Sequence, residues 1–262
     1  MPRLPPVTST DRPTWYSSYV VLACAGLRLS AAGSPVRTRH RYPSVGPATG
    51  MTEVTGRSPM TPPPWEIDPE TCALLVIDMQ NDFVLEGFPM EVPMARERLP
   101  AMRDVVTRCR DAGVPVVYTQ HILFDSFDVS PLETAYQPKL REVGMREGSH
   151  GAEIVADLKP GPEEIVIRKH RYDAFHNTQL QTVLSTLRGP HKVDTLIITG
   201  TLTEVCCEST ARSAFMRDYQ VAFVADATGA LSAAAQEATL RNIGMFFGRV
   251  LTSGELFAEL GR

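Results

Sequence analysis

Cysteine and long apolar runs are both scarce in this chain of 262 residues. The five cysteines, Cys24, Cys72, Cys109, Cys206 and Cys207, form an odd and irregularly spaced set. That excludes a disulfide framework and fits reduced thiols in a cytoplasmic protein. No stretch approaches the roughly 18 to 20 consecutive apolar residues that a spanning helix needs, so no membrane partner is expected. A basic excess is also missing: net charge is -4 and pI about 5.9. Electrostatics therefore give no reason to expect a nucleic-acid partner. What the chain does have is 43% hydrophobic residues, enough to bury a sizeable core.

Charge and proline are unevenly spread. Residues 1–64 carry Arg3, Arg12, Arg28, Arg37, Arg39, Arg41 and Arg57 against Asp11 and Glu53, and they hold 11 of the 21 prolines. This segment lacks helical or strand periodicity, so it reads as a disordered or dispensable extension, with residues 65–262 forming the domain. An Arg-rich leader resembles a transit peptide, and Tyr19 to Leu27 resembles a weak secretory apolar region. The favoured expectation is a dispensable extension with a functional start at Met51 or Met60, because the charged flank Arg28 follows the apolar run.

From residue 72 short apolar runs alternate with amphipathic segments. The pattern predicts strands at 72–77, 114–119, 165–168, 195–199 and 221–225, with a short sixth at 250–251. Helices are expected over 94–112, 178–187, 204–219, 233–247 and 253–260. Strands separated by helix-length connections imply βαβ units, hence an α/β fold with a mostly parallel six-stranded sheet in a three-layer α-β-α arrangement. The connection from Gln120 to Ser149 is too long for a plain linker and is a candidate lid or substrate loop.

In parallel sheets of this kind, ligands bind beyond the carboxyl ends of the strands. The residues there are Asp78, Lys169 and Cys206. A thiol must become a thiolate to attack a carbonyl, and a helix N-terminus and a nearby ammonium both favour that form. Asp78 is the candidate acid and base, with Lys169 orienting it. Taken singly, each has a plainer explanation: an aspartate capping a turn, a solvated lysine, a small buried thiol. Cys72 and Cys109 are read as core.

The local wording raises the odds. Val-Ile-Asp-Met-Gln-Asn-Asp-Phe at 76–83, Arg-Lys-His-Arg-Tyr-Asp-Ala-Phe at 168–175 and Thr-Gly-Thr-Leu-Thr-Glu-Val-Cys-Cys-Glu-Ser-Thr-Ala-Arg at 199–212 resemble the isochorismatase-like cysteine hydrolases. The resemblance covers about residues 70–262 and not the tail. It implies a catalytic set of Asp78, Lys169 and Cys206, with Cys207 as packing. It also implies a cis peptide between Thr201 and Leu202 that aims the amides of Leu202 and Cys206 at the carbonyl oxygen as an oxyanion hole. Dimers or tetramers are common in the family, so a homo-oligomer is expected.

The family's reactions differ. A nicotinamidase-type metal motif is not found where Tyr118-Thr119-Gln120-His121-Ile122 stands, so neither metal nor cofactor is expected, and His121 reads as a polar wall or loop residue. The intact Cys206 favours acyl transfer, and the segments 169–178 and 242–248 look most like ureidoacrylate amidohydrolases and their biuret hydrolase-type relatives. The expected activity is thus C–N hydrolysis of a small ureido, carbamoyl or amide substrate through a thioester. A vinyl-ether hydrolase, a streptothricin-type cyclic amide hydrolase and a thiol redox sensor at Cys206 and Cys207 stay open as alternatives. Candidate substrate-binding residues are Gln80, Asn81, Phe83, Tyr172 and Phe175, with core packing or capping as the competing role for each. Asp82 is expected to be structural, and Glu208 and Arg212 to form an i,i+4 ion pair.

Overall fold

The computed structural model describes residues 65–124, 130–190 and 192–261. The expectations for residues 1–64 fall outside that range. The chain runs β1 (Cys72–Ile77), α1 (Asn81–Val84), α2 (Pro93–Asp111), β2 (Val116–His121), α3 (Pro131–Tyr136), β3 (Ile165–Lys169), α4 (Leu180–Thr186), β4 (Thr195–Thr201), α5 (Glu208–Phe215), β5 (Gln220–Gly229), α6 (Ala233–Phe246), β6 (Arg249–Leu251) and α7 (Ser253–Leu260). The strands form one sheet in the order β3-β2-β1-β4-β5-β6, and every pairing is parallel.

Apolar runs without alternation are what a strand covered on both faces requires, and β1 and β4 are buried along their whole length. Successive side chains of β1 go to opposite faces. Cys72, Leu74 and Val76 join one apolar cluster with Met102, Val105 and Cys109 of α2 and Leu256 and Leu260 of α7. Ala73, Leu75 and Ile77 join the other with Leu180 and Leu184 of α4, Ala211 and Ala214 of α5 and Ile243 of α6. The layers are thus α2 and α7, the sheet, then α4, α5 and α6.

The helix starts follow local chemistry. Pro93 sits in the first turn of α2, where its missing N–H costs nothing. Thr252 and Glu255 form a capping box on α7, each side chain accepting the other's backbone N–H. The helix expected over 204–219 is instead a π-turn over Thr203–Cys207 followed by α5. Strand β5 extends four residues beyond its expected end, because a register shift after Ile198 lets Thr228 and Gly229 pair with Gly200 and Thr201.

Strand order turns around between β1 and β4, since β2 and β3 lie to one side and β5 and β6 to the other. A parallel sheet leaves a crevice at the carboxyl end of such a switch point. Gly200 holds the two strands together there. Its φ is +123°, and a Cβ would lie 2.1 Å from the Ile77 carbonyl oxygen, so only glycine fits.

Candidate active site

Asp78 follows β1 directly, and its backbone turns into the left-handed region at φ +48°, an uncommon conformation for a side-chain-bearing residue. Its N–H donates to Thr119 Oγ1 at 3.1 Å, and the Thr119 hydroxyl donates back to Asp78 Oδ1 at 2.6 Å. Lys169, the last residue of β3, brings its ammonium to 2.6 Å from Asp78 Oδ2 and also donates to the Arg171 carbonyl oxygen at 3.0 Å. Neither side chain of this pair is exposed at all. The Cys206 thiol, from the π-turn after β4, lies within 4.8 Å of an Asp78 carboxylate oxygen, and both Lys169 and Asp78 act on it electrostatically. Three separate strand ends therefore converge on one buried point.

Electrostatics at that point are set by burial first and by the neighbouring charges second. Burial pushes the Cys206 thiol well above its ordinary value; Lys169 pulls it down, and Asp78 pushes it back up. The resting group is a neutral thiol, because burial outweighs the pull of the Lys169 ammonium, which is itself paired with the Asp78 carboxylate. Burial alone would lower Lys169, yet the adjoining Asp78 and Cys206 outweigh it and hold the lysine above its usual value. Burial likewise pushes Cys207 up, and that side chain is fully enclosed in the core beside α5.

The peptide between Thr201 and Leu202 is cis, and the Thr201 hydroxyl donates to the Gly229 carbonyl oxygen at 2.9 Å. Leu202, Val205 and Cys206 border a cavity of about 240 Å³. Phe83 and Tyr172 also line it, and the loop between β2 and β3 closes its far side with Glu133, Leu140 and Met145. The described part of that long connection thus serves as a wall of the crevice.

Other candidate residues lie elsewhere. Gln80 donates from Nε2 to the carbonyl oxygens of His121 and Ala152, both at 3.0 Å, and its Oε1 accepts the His121 N–H at 2.8 Å. Asn81 donates to the His150 carbonyl oxygen at 2.8 Å. Both amides are spent on backbone, a common fate of buried side-chain amides, and neither lines the cavity. Phe175 is buried in the α4–α5–α6 cluster with Tyr219, under the Arg217 guanidinium. Asp82 accepts the Met145 N–H and fixes the loop wall. Glu208 and Arg212 pair at 2.6 Å on α5.

Two groups carry more than the sequence suggested. His121 ends β2 with 1% of its surface exposed, and its Nε2 makes no hydrogen bond. Burial first, and the adjacent Lys169 second, hold its pKa well below the usual histidine value, so the ring is neutral. Glu133 is 8% exposed, with its Oε1 3.8 Å from His121 Nε2. Tyr172, which lines the same cavity as Glu133, has its pKa pushed up to about 12, by burial first and by that carboxylate second. The signal for Thr119 and His121 was their spacing: two apart on β2, they face the same side, towards Asp78.

Asp78, His121 and Cys206 each offer a donor atom, all within 4.8 Å of one another. A dication there would sit against the Lys169 ammonium and compete for a carboxylate already held by Lys169 and Thr119. The donor set therefore fits a proton relay better than a metal.

Comparison with known proteins agrees with this architecture. The Isochorismatase domain family matches residues 72–255. The chain belongs to that family and is an isochorismatase-family hydrolase, a class that includes amidohydrolases. It is 32% identical over 237 residues to the ureidoacrylate amidohydrolase RutB of Caulobacter vibrioides (strain NA1000 / CB15N), spanning 82% of this chain and 97% of the relative. Nicotinamidase 3 of Arabidopsis thaliana is 33% identical over 191 residues, covering 72% of this chain and 88% of its own. Among solved structures, a cysteine hydrolase from Pseudomonas syringae pv. phaseolicola 1448A superposes with a TM-score of 0.70 at 30% identity, covering 76% of this chain and 96% of that one.

Proposed function

We propose that this protein is a cysteine-dependent amidohydrolase that cleaves a C–N bond of a small ureido, carbamoyl or amide substrate through a thioester. The observation that carries this reading is a single buried carboxylate, Asp78, paired with an ammonium and within 4.8 Å of a thiol at the switch point of the sheet. Similarity to relatives named as a ureidoacrylate amidohydrolase and a nicotinamidase supports the C–N bond as the one broken.

The chemistry follows from the protonation states. As Cys206 Sγ bonds to the substrate carbonyl carbon, its proton passes to Asp78, so thiolate and nucleophilic attack develop together. The amides of Leu202 and Cys206 donate to the carbonyl oxygen, where negative charge accumulates. Asp78 then gives its proton to the leaving nitrogen, and ammonia or an amine departs. Water entering the vacated space loses a proton to Asp78 and attacks the thioester. Collapse releases the acid product and returns the proton to Cys206. Lys169 stays charged throughout and is a positioning residue: it keeps the carboxylate aimed at the thiol.

Ammonia release against ureidoacrylate, biuret, N-carbamoyl amino acids and nicotinamide tests the proposal. Wild type and Cys207→Ala are expected to turn over a shared compound within about threefold of each other, and Cys206→Ala to lose at least about a thousandfold. An active Cys206→Ala protein would overturn the mechanism.

A further inference from the structure

His121 is a buried polar side chain to which the steps above give no part. Gln80 fixes its backbone from both sides, accepting its N–H at 2.8 Å and donating to its carbonyl oxygen at 3.0 Å. The enclosed ring lies edge-on to Tyr172, with 6.2 Å between centroids, and its Nε2 makes no hydrogen bond. Glu133 Oε1 is 3.8 Å from that nitrogen, too far for one. A buried polar atom left without a partner is costly, so it is a ready partner for a small polar molecule that enters. His121 borders the same cavity as Cys206. A ring nitrogen, the Cys206 thiol and an Asp78 carboxylate oxygen all lie within 4.8 Å of one another. Two hydrogen bonds of about 2.8 Å that meet at one water oxygen reach across about 4.5 Å, so a single water can serve groups at this separation.

We propose that His121 holds the water that hydrolyses the Cys206 thioester, and so acts in the second half of the reaction. This deepens the amidohydrolase reading and rests on it for the thioester. Phe83, Leu140, Met145, Leu202 and Val205 also border the cavity, and a water among apolar side chains stays only where about two to four polar groups hold it. Asp78 is one such partner and the His121 ring another. Which ring nitrogen carries the hydrogen does not matter, because water both donates and accepts. Burial and the neighbouring Lys169 keep the ring neutral, so it orients the water and takes no proton from it. The water oxygen bonds to the thioester carbon as one of its protons passes to Asp78, and the carbonyl electron pair moves onto the oxygen facing the Leu202 and Cys206 amides. That pair then returns, the C–S bond breaks, and Asp78 gives its proton to Sγ. Formation of the thioester draws on Cys206, Asp78 and the two amides and needs no water, so His121 is dispensable there.

The test uses para-nitrophenyl acetate and the full chain, because nitrophenolate appears when Cys206 is acetylated and the acetyl group leaves only when water attacks. Wild type is expected to give a burst of nitrophenolate that Cys206→Ala lacks. His121→Leu should keep the burst rate within about threefold, while its acetyl-enzyme, followed by intact mass spectrometry, decays at least about tenfold more slowly. Its steady-state kcat and KM should fall together, leaving kcat/KM nearly unchanged. His121→Gln, which puts a polar group back near the position of Nε2, should decay within about threefold of wild type. A His121→Leu protein whose burst and decay slow alike, or in which neither slows, would overturn the water-holding role and leave the amidohydrolase reading intact. So would a His121→Gln protein that decays no faster than His121→Leu. A burst that Cys206→Ala retains, or no burst in wild type, would overturn the amidohydrolase reading and the role with it.

Discussion

Separating the stability of the Asp78–Lys169 pair from its function gives a sharp test of the site. At 2.6 Å and with no exposed surface on either side chain, the pair gains about 6 kcal/mol of attraction at an effective dielectric near 20. Removing each ion from water costs several kcal/mol, so the intact pair contributes little net stability. Breaking it is another matter. Lys169→Met leaves a buried carboxylate with the Thr119 hydroxyl as its remaining tie in β2, and Asp78→Asn leaves a buried ammonium held by the Arg171 carbonyl oxygen. Each single substitution should cost about 3 to 5 kcal/mol. The double variant Asp78→Asn with Lys169→Met carries no buried charge there and should return to within about 1 kcal/mol of wild type, a coupling far from additive. Urea unfolding followed by circular dichroism and tryptophan fluorescence reads all four proteins, with similar slopes expected. All three variants should lack hydrolytic activity, including the one whose stability returns. A double variant as unstable as the two single losses added together would refute the reasoning, because the charges would then be acting independently.

Two other outcomes follow from the same geometry. Gly200→Ala should yield little soluble protein, because its Cβ would overlap the Ile77 carbonyl oxygen, whereas Gly87→Ala, with open space around it, should cost only about 1 kcal/mol for its positive φ; thermal melts of both check this. His121 is held neutral when folded and takes up a proton near its ordinary value of 6.5 when unfolded, so the unfolded chain binds more protons below that pH. Stability contributed by the buried neutral ring is therefore present above about pH 6.5 and lost as pH falls towards the depressed folded value. His121→Asn should flatten that part of the stability profile, and an unchanged profile would show that His121 does not carry it.

Much of this could be read in the sequence for a specific physical reason. Strands buried on both faces appear as unbroken apolar runs, and in a parallel sheet their carboxyl ends share one edge, so Asp78 and Lys169 were picked out directly at strand ends and Cys206 in the turn that leads from a strand into the next helix. Side-chain direction at polar positions was not legible in the same way. Gln80 and Asn81 have the chemistry of substrate-binding amides, but whether an amide faces a pocket or the backbone depends on which carbonyls the fold brings near it, here those of His121, His150 and Ala152. Glu133 was invisible for a related reason. It lies in a long connection without periodicity and approaches His121 through α3, an element that no apolar pattern announced. The extent to which burial acts on the thiol was not legible either, because a neighbouring ammonium can be counted from sequence but the burial that outweighs it cannot.

The central claim is that Cys206 carries the acyl group during turnover. Wild-type protein quenched in acid during steady-state hydrolysis of a ureido or amide compound, then digested and examined by intact and peptide mass spectrometry, measures this directly. The account predicts an adduct with the mass of the acyl half of the substrate, confined to the peptide containing Cys206, absent from Cys206→Ala and still formed on Cys206 in Cys207→Ala. Turnover with no adduct in wild type and undiminished activity in Cys206→Ala, or an adduct that maps to Cys207, would contradict it.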